Sequence, residues 1–293
     1  MDHIAILYTC HNRKNKTLKA LTSLQKAKIA YKKPLEITVY LTDDGSTDGT
    51  SDAIKESFPQ VVLLKGNGNL FWAGGMINSW NEAAKHIHDG YLLLNDDTFI
   101  TENIFDEINL TDEYAQNKYD KKGVYIGSTK DPKSDKLTYG GAIIKNRFLY
   151  KFKILTPNGD FQECDLGNAN IMYVDNSVVE KVGILSSGYV HGIADYDYTL
   201  KCKKNNIPVL VMPNYCGLCE RDTKGLYNSF HLMTFKQRLK HLYSPTGIAF
   251  NSRILFMRRF FPYRVPFFIF FGWFKLFFPK IYMNFFLKGR SSK

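Results

Sequence analysis

Three stretches of this chain put together residue types that could carry out chemistry. LLLNDDT (92–98) is an apolar run that ends in adjacent carboxylates, Asp96 and Asp97. Negative charge gathered at a strand end is costly unless something positive sits beside it. A hard divalent cation suits such oxygens, and Mg2+ in particular keeps water and substrate phosphates beside one or two carboxylates. A diphosphate leaving group matches that description. The same residues would also serve a solvated loop whose Asp caps the next turn. LTDDGSTDGT (41–50) offers Asp43 and Asp44, which could accept hydrogen bonds from a ribose or a base. Its Asp, Gly, Ser and Thr are equally ordinary turn and helix-capping residues. HGIADYDYTLK (191–201) opens a helical pattern with Asp195 and Asp197 in its first turn, where negative charge favours the helix dipole.

The elements that must position these residues alternate regularly. HIAILYTCHN (3–12), EITVYLTD (36–43), VVLLK (61–65) and GYLLL (90–94) read as strands. Between them lie helical patterns: KTLKALTSLQKA (16–27) with Leu18, Leu21 and Leu24 on one face, TSDAIKESF (50–58) capped by Thr50 or Ser51, and GGMINSWNEAAKHIH (74–88). This rhythm predicts an α/β fold with a mainly parallel, Rossmann-like sheet flanked by helices. Ligands of such sheets bind beyond the carboxyl ends of the strands. Each polar cluster falls at such an end: Thr9–Asn12, Asp43–Ser46, Gly66–Asn69 and Asn95–Asp97.

Charge is strongly segregated. Residues 201–293 hold 17 Lys and Arg against only Glu220 and Asp222, whereas residues 1–200 carry 22 basic and 26 acidic residues. The basic part also holds the Phe-rich blocks of YRVPFFIFFGWFKLFFPKIYMNFFLKGR (263–290), among them Arg264, Lys275, Lys280, Lys288 and Arg290. No run approaches the ~20 apolar residues that span a bilayer. The pattern predicts a segment lying in the interface of an anionic membrane, with packing on its own domain or on a second subunit as the rival reading. Five cysteines in a chain of this length do not form a disulfide framework, and the N-terminus has no signal-peptide pattern. The expected location is cytoplasmic, peripheral on the inner face of the cell membrane. Acidic charge around the strand ends argues against nucleic acid in that cleft.

The order CHNR, LTDDGSTDGT, GNGNLFWAGGMINSW, LLLNDDT and HGIADYDYTLK resembles the family 2 glycosyltransferases of GT-A fold, over about residues 3–225. GNLFWAGG with LLLNDDT and GSTKDP…LTYGG is similar to a bacterial, rhamnosyltransferase-like subgroup of surface polysaccharide assembly. The resemblance implies a GT-A domain over 1–225; the basic and aromatic pattern itself marks 226–293 as a helical, membrane-associating region. The resemblance also implies an inverting enzyme that moves a sugar from a dTDP-, UDP- or GDP-linked donor to a saccharide or lipid-linked saccharide, with Mg2+ or Mn2+ on the diphosphate.

Carried over residue by residue, it assigns Thr9, His11, Asn12, Asp43, Asp44, Asn69 and the Gly74–Gly75 helix start to the nucleotide sugar. It assigns Asp97 to the metal and Asp96 to a ribose or sugar contact. Asn95 stands where the family often has Asp, and Ala194 where it has an acid. Asp195 matches the catalytic base, and Asp197 matches the second, orienting acid; His191, a lone His before Gly192, is a candidate contact to the acceptor or the metal, with a structural role as its alternative. His231 is a further candidate for metal or diphosphate, and Cys216-Gly-Leu-Cys219 lacks the second pair that zinc requires. Two rival classes remain. A nucleotidyltransferase of related fold would want a Gly-rich, basic first loop, whereas TCHNRKN has no glycine. A non-catalytic membrane- or RNA-binding module would treat the acidic clusters as turns.

Overall fold

The computed structural model describes residues 2–221, 230–282 and 284. The chain forms two compact units, one of Met1–Ser187 with Ala194–Arg221, the other of Gly188–Ile193 with the described part of 222–293.

The first unit begins as a regular alternation: β1 (His3–Cys10), α1 (Lys14–Ala30), β2 (Glu36–Asp43), α2 (Thr50–Ser57), β3 (Val62–Lys65), α3 (Phe71–Ala83) and β4 (Gly90–Leu94). It continues through β5 (Phe99–Ile100), α4 (Ile104–Tyr119), β6 (Val124–Lys130), β7 (Leu137–Tyr139), β8 (Gly141–Asn146), β9 (Lys151–Ile154), β10 (Gln162–Glu163), β11 (Leu166–Gly167), β12 (Ile171–Asp175), α5 (Asn176–Val182), α6 (Ala194–Lys204) and β13 (Val209–Leu218). The main sheet runs β10-β13-β6-β12-β4-β1-β2-β3, and β11, β8 and β9 form a second, small sheet. β3, β2, β1 and β4 are mutually parallel, and β12 is antiparallel to both β4 and β6.

Helices cover both faces of this sheet, so its strands are buried on both sides. Along β1, Ile4, Ile6 and Tyr8 enter one apolar cluster and Ala5 and Leu7 the other, as the two-residue period of a strand requires. α1 lays Thr17, Ala20, Leu21, Leu24 and Ala27 on the first face, with Leu18 only partly covered. Each fully buried Leu or Ile contributes about 1.5–3 kcal/mol.

Two helix starts differ from the sequence expectation. α2 is capped neither by Thr50 nor by Ser51. Gly49 precedes it in the left-handed region (φ 79), and Asp48 accepts from the Thr50 backbone N–H. The other oxygen of Asp48 accepts from the Lys14 N–H at the start of α1, so one carboxylate serves two helix ends. α3 starts at Phe71, not at Gly74, because Asp44 accepts the Phe71 N–H and thereby fixes the first turn one step earlier.

The second unit packs a short 3-10 turn (Phe230–Leu232), α7 (Phe235–Tyr243), α8 (Phe250–Phe260), α9 (Val265–Phe277) and α10 (Pro279–Tyr282). Phe230, Leu242, Ile248, Phe250 and Leu276 form its core. Gly272 lets α9 approach α8; a Cβ there would lie 2.4 Å from the Phe250 ring. Among the described residues no helix is long and apolar enough to cross a membrane. Lys288 and Arg290 of the basic tail lie outside the described residues.

Candidate active site

The chain leaves β1 toward β2 on one side and later returns to β4 on the other, so the strand order reverses between β1 and β4. That reversal opens a crevice at the carboxyl ends of these two strands. His11–Arg13 follow β1 there, and Asn95–Asp97 follow β4.

Asn12 turns the chain with a left-handed backbone (φ 51), which Asn tolerates better than most residues. Its N–H donates to Ser46 Oγ (2.8 Å), and its Oδ1 accepts from the Thr47 N–H (2.7 Å). His11 donates Nδ1–H to the Asp44 carbonyl (2.7 Å), leaving Nε2 to accept from Asn12 Nδ2 (3.1 Å). Both side chains are exposed.

Asp43 and Asp44 are buried, and they hold loops in place. Asp43 accepts from the Ser46 N–H (2.9 Å) and from Ser51 Oγ. Asp44 accepts from the N–H groups of Gly68 and Phe71, each at 2.8 Å, and so pins the GNGN loop to the end of β2. A Cβ on Gly66 would sit 2.6 Å from Asp44 Oδ1, which explains the glycine. Asn69 is exposed in that loop. Gly75 lies one turn inside α3 against β1, where a Cβ would be 2.0 Å from Thr9 Oγ1; Thr9 is correspondingly buried.

At the end of β4, Asn95 accepts from the Trp72 indole N–H (2.7 Å). Asp96 and Asp97 share one cation: Arg13 Nη1 lies 3.0 Å from Asp96 Oδ1 and 2.9 Å from Asp97 Oδ2, with Lys16 Nζ at 3.9 Å from the latter. Asp96 Oδ2 is buried without a hydrogen-bond partner. Burial, and then the neighbouring Asp97, push the Asp96 carboxyl up to about 6 against the opposing pull of Arg13. Asp97 is the more accessible of the two.

β12 runs antiparallel to β4, with Ile171 opposite Leu94, so the Gly167–Asn170 segment before β12 lies where β4 ends. Asn170 accepts the Asn95 N–H at its carbonyl (3.3 Å) and donates Nδ2–H to Thr98 Oγ1 (3.3 Å). Two residues earlier, Asn168 Nδ2 (3.4 Å) and the Ala169 N–H (3.3 Å) donate to Asp195 Oδ2. Burial raises the Asp195 carboxyl above its ordinary range, and the Tyr196, Ala169 and Asn168 donors restrain that rise. Asp195 and the Asn95–Asp97 turn are thus joined through three consecutive residues.

Asp197 is fully buried and accepts from Ser186 Oγ (2.7 Å). His191 and His231 belong to the second unit, where both are exposed. Cys216 is a core residue. Cys219, 4.0 Å from Asp97 Oδ1, is a buried thiol pushed up to about 11 by burial and then by Asp97.

Among the described residues no group of three or more His, Cys, Asp or Glu side chains could hold a metal alone. The oxygens present, with Asp97 accessible and Asp96 Oδ2 unpartnered, suit a hard cation that takes its remaining ligands from a diphosphate and water. The motif pattern gives no role to Arg13, Asn168, Ala169 or Asn170, and it gives Trp72 only that of a core or lid aromatic. Arg13 had a signal: a cation directly after the first strand faces the end of the fourth in any sheet of 3-2-1-4 order.

A mixed, mainly parallel sheet with its charged loops gathered at the β1/β4 reversal defines a GT-A type α/β fold. Residues 5–160, more than half of the chain, match glycosyl transferase family 2, and the chain belongs to that family. Similar solved structures include GalNAc-T7 with UDP, GalNAc and Mn2+ (12% identity, 83% of this chain and 50% of that one, TM-score 0.56). Another is the mannosyltransferase PcManGT from Pyrobaculum calidifontis with GDP-Man and Mn2+ (12% identity, 81% and 64%, TM-score 0.51). A third is S. aureus TarS (15% identity, 79% and 39%, TM-score 0.50). The chain therefore spans between 39% and 64% of the lengths of these proteins, and at such identities they establish the fold alone. No curated protein matches it in sequence.

Proposed function

We propose that this chain transfers a sugar from a nucleoside diphosphate sugar to a hydroxyl of a saccharide or lipid-linked saccharide, in one inverting displacement, as a step in surface polysaccharide assembly. The observation that carries this reading is the link through Asn168–Asn170 between a buried carboxylate, Asp195, and the Asp96–Asp97 pair at the strand reversal. Asp195 takes the proton of the acceptor hydroxyl as its oxygen bonds to the anomeric carbon. The bond from that carbon to the diphosphate breaks, and the diphosphate leaves with the electron pair. Asp97 would hold Mg2+ or Mn2+ against the diphosphate, and that ion, when bound, neutralises the developing charge. Asp96 offers its unpartnered oxygen to a ribose or sugar hydroxyl. Asn12, His11 and Asn69 line the nucleotide side. Membership in family 2 favours glycosyl over nucleotidyl transfer. The rhamnosyltransferase-like motifs make a dTDP-linked donor one of three to test, beside UDP and GDP.

Thermal melting with UDP, GDP or dTDP, with and without Mn2+ or Mg2+, tests the donor site. A metal-dependent rise with one nucleotide, lost in Asp97→Ala, is the expected result. No rise with any of them overturns the assignment and favours a binding module.

The exposed face of α9 supports an acceptor held at a membrane. Phe267, Phe270 and Phe277 are 58–61% exposed along one face, with Trp273 beside them, while Gly272, Lys275 and Leu276 are buried on the other. An exposed apolar face of this kind marks an interaction surface. The exposed Arg258 and Lys280 in the same unit favour anionic lipid.

A further inference from the structure

Arg13 stands out because it already fills the position that the donor reading gives to a metal. A single guanidinium nitrogen bridges one oxygen from each of two adjacent carboxylates, at 3.0 Å from Asp96 and 2.9 Å from Asp97. A divalent ion held by Asp97 Oδ2 would lie about 2.0–2.2 Å from it. The two cations would then be in contact, and like charges at that range repel strongly. They exclude one another at this point.

The side chain is free to leave. Arg13 is 48% exposed, and it sits at the N-cap of α1, on a loop that Asn12 turns through a left-handed residue. The carboxylates cannot follow it: Asp96 is buried at the end of β4, and the turn that carries both acids is held by the Asn95 N–H to Asn170 bond and by Trp72 on Asn95. Once displaced, a guanidinium at this crevice would need a new anionic partner, and its planar fork matches phosphate oxygens.

We propose that Arg13 is the cation that Asp97 exchanges for a metal: it neutralises Asp96 and Asp97 until a metal–nucleotide complex arrives, then yields Asp97 to the metal and turns to the diphosphate. This rests on the donor-site reading above. It makes Arg13 a binding residue with opposite effects on two ligands. Removing it unmasks the carboxylates for a bare metal ion and removes a contact to the diphosphate.

The test titrates Mn2+ alone into wild type, Arg13→Gln and Arg13→Lys and follows free Mn2+ by its paramagnetic resonance signal; UDP, GDP and dTDP binding is then measured with Mn2+ and with EDTA. Arg13→Gln is expected to bind Mn2+ about tenfold tighter than wild type. It is expected to bind the preferred nucleotide at least about tenfold more weakly, with Arg13→Lys between the two. A Mn2+ affinity that is unchanged or weaker in Arg13→Gln, while wild type binds nucleotide, overturns the exchange. Equal nucleotide binding by wild type in EDTA and in Mn2+ also overturns it, because Arg13 would then stay on the carboxylates with no metal to replace it. A parallel loss of both ligands together with a lower melting temperature would show that Arg13 merely holds the loop. Failure of wild type to bind any nucleotide overturns the donor reading itself, which the Mn2+ comparison tells apart.

Discussion

Asp195 and Asp97 are carboxylates linked through Asn168–Asn170, yet their surroundings suit different tasks. Asp195 is held by two backbone N–H groups and an amide, its carboxyl raised by burial, whereas Asp97 lies beside cations and is more open. A base must be ionised to act, so a raised carboxyl moves the acid limb of kcat/KM to higher pH. Asn168 opposes that rise, so Asn168→Ala is expected to shift the acid limb further toward neutral pH without abolishing turnover; a pH–rate profile checks it. Asp195→Asn removes the base outright. It should lower kcat by about 10²–10⁴ with little change in nucleotide affinity, measured by turnover beside nucleotide binding. Asp195 is legible as the proposed base because it stands at the start of a helical pattern within the family's motif order. Its supports are not, because Asn168 and Ala169 come to it only through the packing of α6 on β11, where Gly167 donates its N–H to Thr199.

At the scale of elements, the site depends on how closely α3 packs on β1. Gly75 permits that approach, with the Thr9 hydroxyl where its side chain would be. Gly75→Ala overpacks a rigid, buried contact and is expected to destabilise the protein by roughly 1–3 kcal/mol. Denaturant unfolding would show it, and the Thr9→Ala/Gly75→Ala double variant should lose less than the sum of the single losses, since the nearest atom is then gone. Sequence periodicity finds α3 but places its start at Gly74, because the capping acceptor is Asp44, far away in the chain. For the same reason Asp43 and Asp44 read from sequence as ligand contacts or turn residues alike: their loop-holding partners Ser51, Gly68 and Phe71 become visible only when β2 and β3 lie side by side.

At the scale of the whole molecule, two features lead to measurements. His88 is buried at the end of the sheet away from the crevice, beside Tyr40, and burial, with His3 and His86 next, pushes it down from its ordinary 6.5 to about 4. The unfolded chain therefore takes up a proton before the folded one does. The stability associated with neutral His88 is full above pH 6.5 and drains away as pH falls toward 4. His88→Gln should flatten unfolding free energy over that window by an amount on the order of 1–3 kcal/mol, measured by denaturant melts at several pH values.

The other feature is the aromatic face of α9. Wild type should sediment with anionic vesicles, less so as salt rises, and not with zwitterionic ones. The triple variant Phe267→Ala/Phe270→Ala/Phe277→Ala should stay in solution. If wild type also stays in solution and instead dimerises with concentration through this face, a second subunit is its partner.

The amino-acid sequence by itself determined the alternation of elements, the parallel α/β class and the placing of polar clusters at strand ends, because each follows from local periodicity and turn chemistry over a few residues. It also exposed the segregation of acidic and basic halves, which needs only counting. Tertiary structure alone decided which clusters meet. The reversal between β1 and β4 brings Arg13 onto Asp96 and Asp97, separated by more than eighty residues of chain. The antiparallel β12 connects those acids to Asp195. Such pairings depend on strand order and direction, which emerge from the packing of the whole sheet rather than from the residues they unite.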